Sequence, residues 1–525
     1  MKRWLPLWIG CFLACAQDPR GAPAGTPDSH RLRADLDYLC SDELQGRASL
    51  SPSADVAAGY IASSFKNSGL APMGGKPYLQ EFPLVGYDPD RSRTHLVLIR
   101  AGKRTEIAAE EFRAAFWKEV SIHAPVVFAG YGITAPEYRY DDYAGIDVHG
   151  KIVLLFDHEP QENDPSSVFN GTGHTRYANS RVKEENARRH GAVAVLMVSE
   201  PLRKHRGAFE PTPTEPGSLR ANAPRQAIEE ESIPLVTLTD RLAGQLLEAT
   251  GKTPAEIQTA IDRRLKPASQ PLPDTSVDVA TAPANVHRGI SANVVGLLEG
   301  SDPTLRGETI VLDAHYDHLG VQGGNVYRGA NDNASGTVAV MELARLFAAS
   351  PRRPRRSLLF IVFGSEEEGL LGSYYYVEHP LRPLATTRAV LNLDMIARDE
   401  AHIPQSQGVV EIPADTSNQI NLVGTFYSPD LRKAIEAQNR ATGLDLTTKF
   451  DRDHNLNVLF RCDHFPFLAA GVPAVWIFGG FHPGYHEPSD TVDRLNFPKL
   501  EKVIRLTYLT ARSLADAEKP PRFRP

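Results

Sequence analysis

Residues 309–318 read Thr309-Ile310-Val311-Leu312-Asp313-Ala314-His315-Tyr316-Asp317-His318, a short apolar run of strand length that leads straight into two acids and two histidines. The pattern recurs downstream. Ser357 to Phe363 is an apolar run followed by Gly364-Ser365-Glu366-Glu367-Glu368-Gly369, Ala389 to Leu393 ends on Asp394, and Pro473 to Phe478 leads through glycines to His482-Pro483-Gly484-Tyr485-His486. Between the first two runs lies Gly329-Ala330-Asn331-Asp332-Asn333-Ala334-Ser335-Gly336, a turn that opens a helix expected over Ser335 to Phe347; a second helix is expected over Phe497 to Leu514. Strands alternating with helices predict an α/β sheet with helices on its faces. In such sheets ligands bind beyond the carboxyl ends of the strands, so these segments aim their acids and histidines at one crevice.

The residue types in that crevice decide its chemistry. Imidazole with carboxylate suits a borderline ion such as zinc, whereas all-oxygen sites suit magnesium or calcium, and no thiolate stands among these residues. Two histidines and three carboxylates exceed what one tetrahedral catalytic ion with an open position accepts, but they fit two ions sharing a carboxylate. Such a pair lowers the pKa of a water and polarises a carbonyl oxygen, which is hydrolysis. Within Glu366-Glu367-Glu368 one carboxylate can ligate while a neighbour serves as general base, and spacing leaves open which does which. Asp317, two residues from His315, is placed to accept a hydrogen bond from that imidazole, its plainer reading being a turn residue.

Working outward, the 525-residue chain has an ordinary globular balance, 42% apolar and 23% charged. Its net charge of −7 offers no field for nucleic acid, and the run Pro351 to Arg356 reads as a solvated loop. Met1-Lys2-Arg3 and the apolar run Trp4 to Ala16 form an export signal over residues 1–16, too short to span a bilayer. Cleavage after Ala14-Cys15-Ala16 is one outcome; the alternative is lipidation of Cys15, which would be the chain's one attachment to a membrane. Residues 17–27 suit a flexible tether. Cys40 and Cys462 read as two buried free thiols rather than a bridge. Ser53 is expected to cap a helix with Val56, Tyr60, Ile61 and Phe65 inward.

Residues 121–270 have a different texture: β-rich runs at Ala124 to Gly130, Lys151 to Phe156, Ala192 to Val198 and Ile233 to Leu238, with long Pro- and Gly-rich loops between them. They predict a separate β-dominated domain whose strands carry no cluster of acids and histidines. Asn170-Gly171-Thr172 matches a glycosylation sequon and is read as a chance match.

The strings DAHYDHLG, GANDNASG, FGSEEEGLLGS, NLDMIAR and HPGYHEPSDT resemble, in order, the signatures of the di-zinc aminopeptidase family that also includes glutamate carboxypeptidase and the transferrin receptor. The resemblance reaches back to LDYLCSDELQGR, and VVFAGYGITAPEYRYDDYAGIDVHGKIVLL resembles the protease-associated domain that exported members carry as an insertion. It implies a three-layer α/β zinc-peptidase fold with a mixed central sheet, discontinuous over residues 28–120 and 275–515, an inserted protease-associated domain over 121–270, and a tail at 516–525. It gives His315 and Asp394 to one Zn2+, Glu367 and His486 to the other, and makes Asp332 the bridge and Glu366 the general base. Tyr485 matches a tyrosine that donates to the developing oxyanion, and Asp490 is expected to brace the last loop. Ala397 and Cys462 depart from the family pattern, where glycine and serine are usual, and neither is expected to touch a ligand. The implied activity is that of an exported aminopeptidase acting on peptides. The rivals are a glutaminyl cyclase, a dipeptide carboxypeptidase and a non-catalytic receptor-like protein. Neither oligomeric state nor preferred side chain is legible.

Overall fold

The structure is a computed structural model describing residues 25–205, 225–453 and 455–525. The signal at 1–16, with Cys11 and Cys15, lies outside the described residues, as does most of the tether.

Four strands at the centre of the main sheet carry the runs that decided the fold. Ser357–Phe363, Thr309–His315, Thr387–Asp394 and Ala474–Phe478 lie side by side and parallel, with His315 level with Phe363 and Asp394 level with Phe478. Continuous apolar sequence is what a strand covered on both faces requires. Leu358, Phe360 and Val362 enter one core and Leu359, Ile361 and Phe363 the other, the period of two that a strand imposes. Antiparallel strands extend the sheet on both sides. The order is 225–228, 79–89, 283–298, 357–363, 309–315, 387–394, 474–478, 419–423 and 445–447, with 71–72 paired to 283–298. The helices Ser29–Leu39, Pro52–Asn67, Ser335–Ala348 and Phe497–Asp516 cover one face, and Leu371–Glu378 and His464–Ala469 the other. This is the expected three-layer α/β fold with a mixed sheet.

Two local expectations need correction. The cap of the Pro52–Asn67 helix is Ser51, whose hydroxyl accepts from the Ala54 amide, and Ser53 hydrogen-bonds to Ser51 instead. Proline at the first helical position, where no amide is needed, sets that boundary. Ile61 and Phe65 are buried, but Val56 is 51% exposed because it falls on the outer side of the turn.

A second sheet of eight strands runs in the order 103–106, 95–100, 270–281, 120–128, 152–156, 194–198, 235–238 and 112–114, around cores of its own. It reaches beyond residues 121–270 on both sides, taking in 95–114 and the strand Gln270–Thr281, while Arg225–Ile228 leaves it to pair with the main sheet. Its strands bear no acid–histidine cluster, but the loops following two of them do. Cys40 and Cys462 are buried free thiols.

Candidate metal centre

The parallel strands end together, and their last residues and following loops bring the acids and histidines into one place. His315 is the final residue of its strand and Asp394 of the neighbouring one. The helix beginning at Ser335 approaches closely enough that a Cβ on Gly336 would stand 2.0 Å from the Leu393 carbonyl, which is why this turn takes glycine there. Three non-glycine residues beside the donors hold left-handed backbone: Ser365 at φ 62°, Met395 at φ 54° and His486 at φ 56°. Such residues cost about 1–3 kcal/mol each and persist where surrounding structure over-determines them.

All five predicted donors meet. His315 Nε2 lies 3.5 Å from Asp332 Oδ1 and 3.5 Å from Asp394 Oδ1. On the other side of Asp332, His486 Nε2 lies 3.2 Å from Asp332 Oδ2 and 3.3 Å from Glu367 Oε2. Glu366 Oε2 is 3.7 Å from His315 Nε2. Ligands held about 2.0–2.1 Å from a tetrahedral ion stand roughly 3.3–3.4 Å from one another, which is the spacing seen. His315 Nε2 and Asp394 Oδ1 are shielded from solvent and have no hydrogen-bond partner. A buried polar atom left this way is costly unless something fills the gap. The donor set therefore fits zinc.

Electrostatics separate the neighbouring glutamates. Burial pushes the Glu366 carboxyl well above the usual carboxylate range, although the His315 charge works against it. Burial acts on Glu367 in the same sense, but the His486 and His318 charges outweigh it and hold that carboxyl well below its usual range. Burial alone would lower the His486 imidazole; the Glu367 and Asp332 carboxylates instead raise it to about 10. The crevice holds a surplus of negative charge that a cation would neutralise.

The supporting residues differ in part from expectation. The Asp317 carboxylate is 3.7 Å from His315 Nδ1, whose nearer partner is the Asp317 backbone carbonyl at 3.2 Å. That carboxylate accepts the Glu366 amide at 3.0 Å and the Glu367 amide at 3.2 Å, so it shapes the acidic loop. Asp490 accepts the amides of Asn331 at 2.8 Å and Asp332 at 3.1 Å. Tyr485 stacks on His486 with centroids 3.9 Å apart. Cys462 does touch a predicted donor: its thiol donates to Asp394 Oδ2 at 3.1 Å and Asn392 Oδ1 at 2.9 Å. Burial raises that thiol well above its ordinary range, which keeps it protonated and able to donate. Ala397 turns its amide to Asn331 Oδ1 at 2.8 Å and leaves the ligands alone.

Two residues were not singled out from sequence. His318 is buried and its Nδ1 lies 2.6 Å from Glu367 Oε1, fixing that carboxylate. Its place three residues after His315 in DAHYDHLG was the available signal. Arg47, fully buried, donates to the carbonyls of Tyr316 at 2.7 Å, Arg328 at 2.8 Å and Gly329 at 3.1 Å. It lies at the end of LDYLCSDELQGR and ties that segment to the loops around the centre.

Residues 293–511 match the model described as peptidase family M28. The Bacillus subtilis aminopeptidase YwaD is 28% identical over 239 residues, 44% of this chain and 46% of that protein. The Mycobacterium tuberculosis protein described as a probable lipoprotein aminopeptidase, LpqL, is 24% identical over 471 residues, 86% of this chain and 77% of that protein. A solved aminopeptidase from Aneurinibacillus sp. strain AM-1 aligns over 95% of this chain and 97% of its own, at 22% identity and a TM-score of 0.48. The chain spans about half the length of the first curated relatives it matches, 46% and 48%. The matched 293–511 segment contains every donor described above and the acidic loop beside them.

Proposed function

We propose that this chain is an exported zinc aminopeptidase, similar to peptidase family M28, that removes N-terminal residues from peptides, using two zinc ions held by His315, Asp394, Glu367 and His486 with Asp332 between them. The observation that carries the reading is the donor spacing of 3.2–3.5 Å on both sides of Asp332, with a glutamate of raised pKa alongside. Zinc supplies an activated water and a Lewis acid for the scissile carbonyl. Glu366 takes the proton from the attacking water and returns it to the departing amine, the task a buried carboxyl of raised pKa suits near neutrality. The Tyr485 hydroxyl donates to the oxyanion as it forms. Asp317, through the Glu366 and Glu367 amides, keeps base and ligand in register.

The aminopeptidase specificity rests on the descriptions of the relatives, and export on the leader at residues 1–16 together with the lipoprotein relative. The test is a panel of unblocked and N-blocked peptides, with and without a chelator, products identified by mass. Free amino acids released only from unblocked peptides, and only with metal, are the expected result. Cleavage of N-blocked peptides, release of pyroglutamate or full turnover in chelator would overturn it.

A further inference from the structure

The second sheet gathers acids and histidines of its own, away from the centre described above. Strands Ile152–Phe156 and Ala194–Val198 run parallel with Phe156 level with Val198. His158 and Glu200 each lie two residues past that pair, so the register alone sets them side by side at the carboxyl ends of the strands. The loops that follow return Glu162 and His205 to the same spot. His158 Nδ1 is 2.7 Å from Glu162 Oε2, and His205 Nε2 is 3.2 Å from Glu162 Oε1 and in contact with Glu200 Oε1. The two imidazoles stack at 4.1 Å. One donor atom from each of the four residues lies within 4.8 Å of the others. Glu200 is 1% exposed and Glu162 4%, and Glu200 Oε2 is shielded without any hydrogen-bond partner.

The two carboxylates of this cluster are balanced either by protons on the imidazoles or by a cation that displaces those protons. Two carboxylates are buried together, the Asp157 carboxylate adds to the field at His158, and the Lys183 ammonium opposes it. Two imidazoles and two carboxylates form a closed tetrahedral set whose charge balances a divalent ion, with no position left open for substrate. All four residues lie outside the 293–511 segment.

We propose that His158, Glu162, Glu200 and His205 bind a structural zinc ion that pins together the two loops at the carboxyl end of the second sheet. Seating it requires His158 and Glu162 to part from 2.7 Å to roughly 3.3 Å, a rotamer-scale adjustment. The pinned loop is the one that leans on the peptidase domain. His174 stands edge-on to His158 at 4.7 Å, and its Nε2 meets Asn457 Oδ1 at 2.8 Å. Asn170 Nδ2 donates to the Asp451 carbonyl at 2.9 Å. The ion would therefore fix how the second sheet sits against the 449–458 segment.

The test counts zinc on the full chain after stripping with chelator, reloading with zinc and removing the excess. The His158→Ala/Glu200→Gln variant is expected to hold one zinc per chain fewer than wild type, and a cobalt-loaded wild type to show a ligand-field band that the variant lacks. Because this variant can fail to fold, a second arm uses His315→Ala/His486→Ala, which disables the catalytic centre and leaves this cluster intact; it should retain one zinc per chain. Equal zinc in wild type and the first variant, or none in the second, overturns the proposal and leaves a proton-bridged ion-pair network on His205. The number of ions at the catalytic centre does not enter the wild-type-minus-variant difference, so failure of that reading is seen separately.

Discussion

In the main sheet the five predicted donors and Glu366 stand 3.2–3.7 Å apart, whereas in the second sheet His158 and Glu162 touch at 2.7 Å. Both clusters sit where parallel strands end, are buried and combine histidine with acid, so position and composition do not distinguish them. The gap does. Donors held apart against their own attraction need a rigid frame, here backbone in the left-handed region at Ser365, Met395 and His486 and a Cβ-free approach at Gly336. The 157–175 loop also holds left-handed backbone, at His158, Gln161 and Asn170, yet there the side chains close on one another.

The largest expected effect breaks the comparison at its functional end. Glu366→Gln should lower turnover by about 10²–10⁴-fold while zinc content stays at the wild-type value, measured by steady-state kinetics beside metal analysis. Unchanged turnover would remove Glu366 from the mechanism. The equivalent change in the second cluster, Glu200→Gln, should leave the turnover of folded protein within about twofold, since no reacting atom is there.

How much of this was legible in sequence follows the same divide. The central strands could be located, 357–363 to the residue, because a strand covered on both faces is apolar throughout. Pro283–Leu298, longer than any of them, was missed because its first half is polar and exposed. The predicted donors were legible because His315 and Asp394 end such strands, Glu367 and His486 lie on the loops that follow, and Asp332 sits in the turn that opens a helix. Arg47 was not recognised as a support because its partners beside the centre lie 269 to 282 residues away. The second cluster was missed because His158, Glu162, Glu200 and His205 are scattered over loops without a shared motif, and only the pairing of two strands aligns them. Ser53 is the cap expected from sequence, and proline at position 52 sets the boundary so that Ser51 takes that place.

A stability comparison sharpens the separation of the cores. Ile361→Ala in the main sheet and Leu196→Ala in the second, both fully buried, should each cost about 2–5 kcal/mol in denaturant unfolding. Their effects should add within about 0.5 kcal/mol, as distant sites do. Strong coupling between them would mean that the two sheets share one core.

Acid–base linkage gives a third contrast. Burial raises the Glu159 carboxyl to about 8 despite the hydrogen bonds from Thr175 that lower it. A folded-state value above the unfolded one means that the stability this group contributes is present in full below its ordinary value of 4.5 and is lost as pH rises toward about 8. Glu159→Gln mimics the protonated form and keeps partners for the Thr175 amide and hydroxyl. It should flatten the loss of stability across that window, by roughly 1–4 kcal/mol at the upper end, followed by denaturant midpoints at several pH values. A variant curve parallel to wild type would show Glu159 to be ionised throughout. The smallest effect is expected at the helix start: Ser51→Ala should cost about 1 kcal/mol and Ser53→Ala less than half of that, and the reverse order would restore Ser53 as the cap.

The Arg47 guanidinium carries a consequence for where the enzyme begins. Its donors occupy the carbonyls of Tyr316, Arg328 and Gly329, on the stretches that flank His315 and Asp332. A protein trimmed to the family-matched portion would leave those oxygens stranded in a dry interior and slacken both stretches at once. The smallest self-sufficient catalyst must therefore retain the amino-terminal helices, and proteolysis between residue 47 and the first strand of the main sheet is the cut from which activity should recover least.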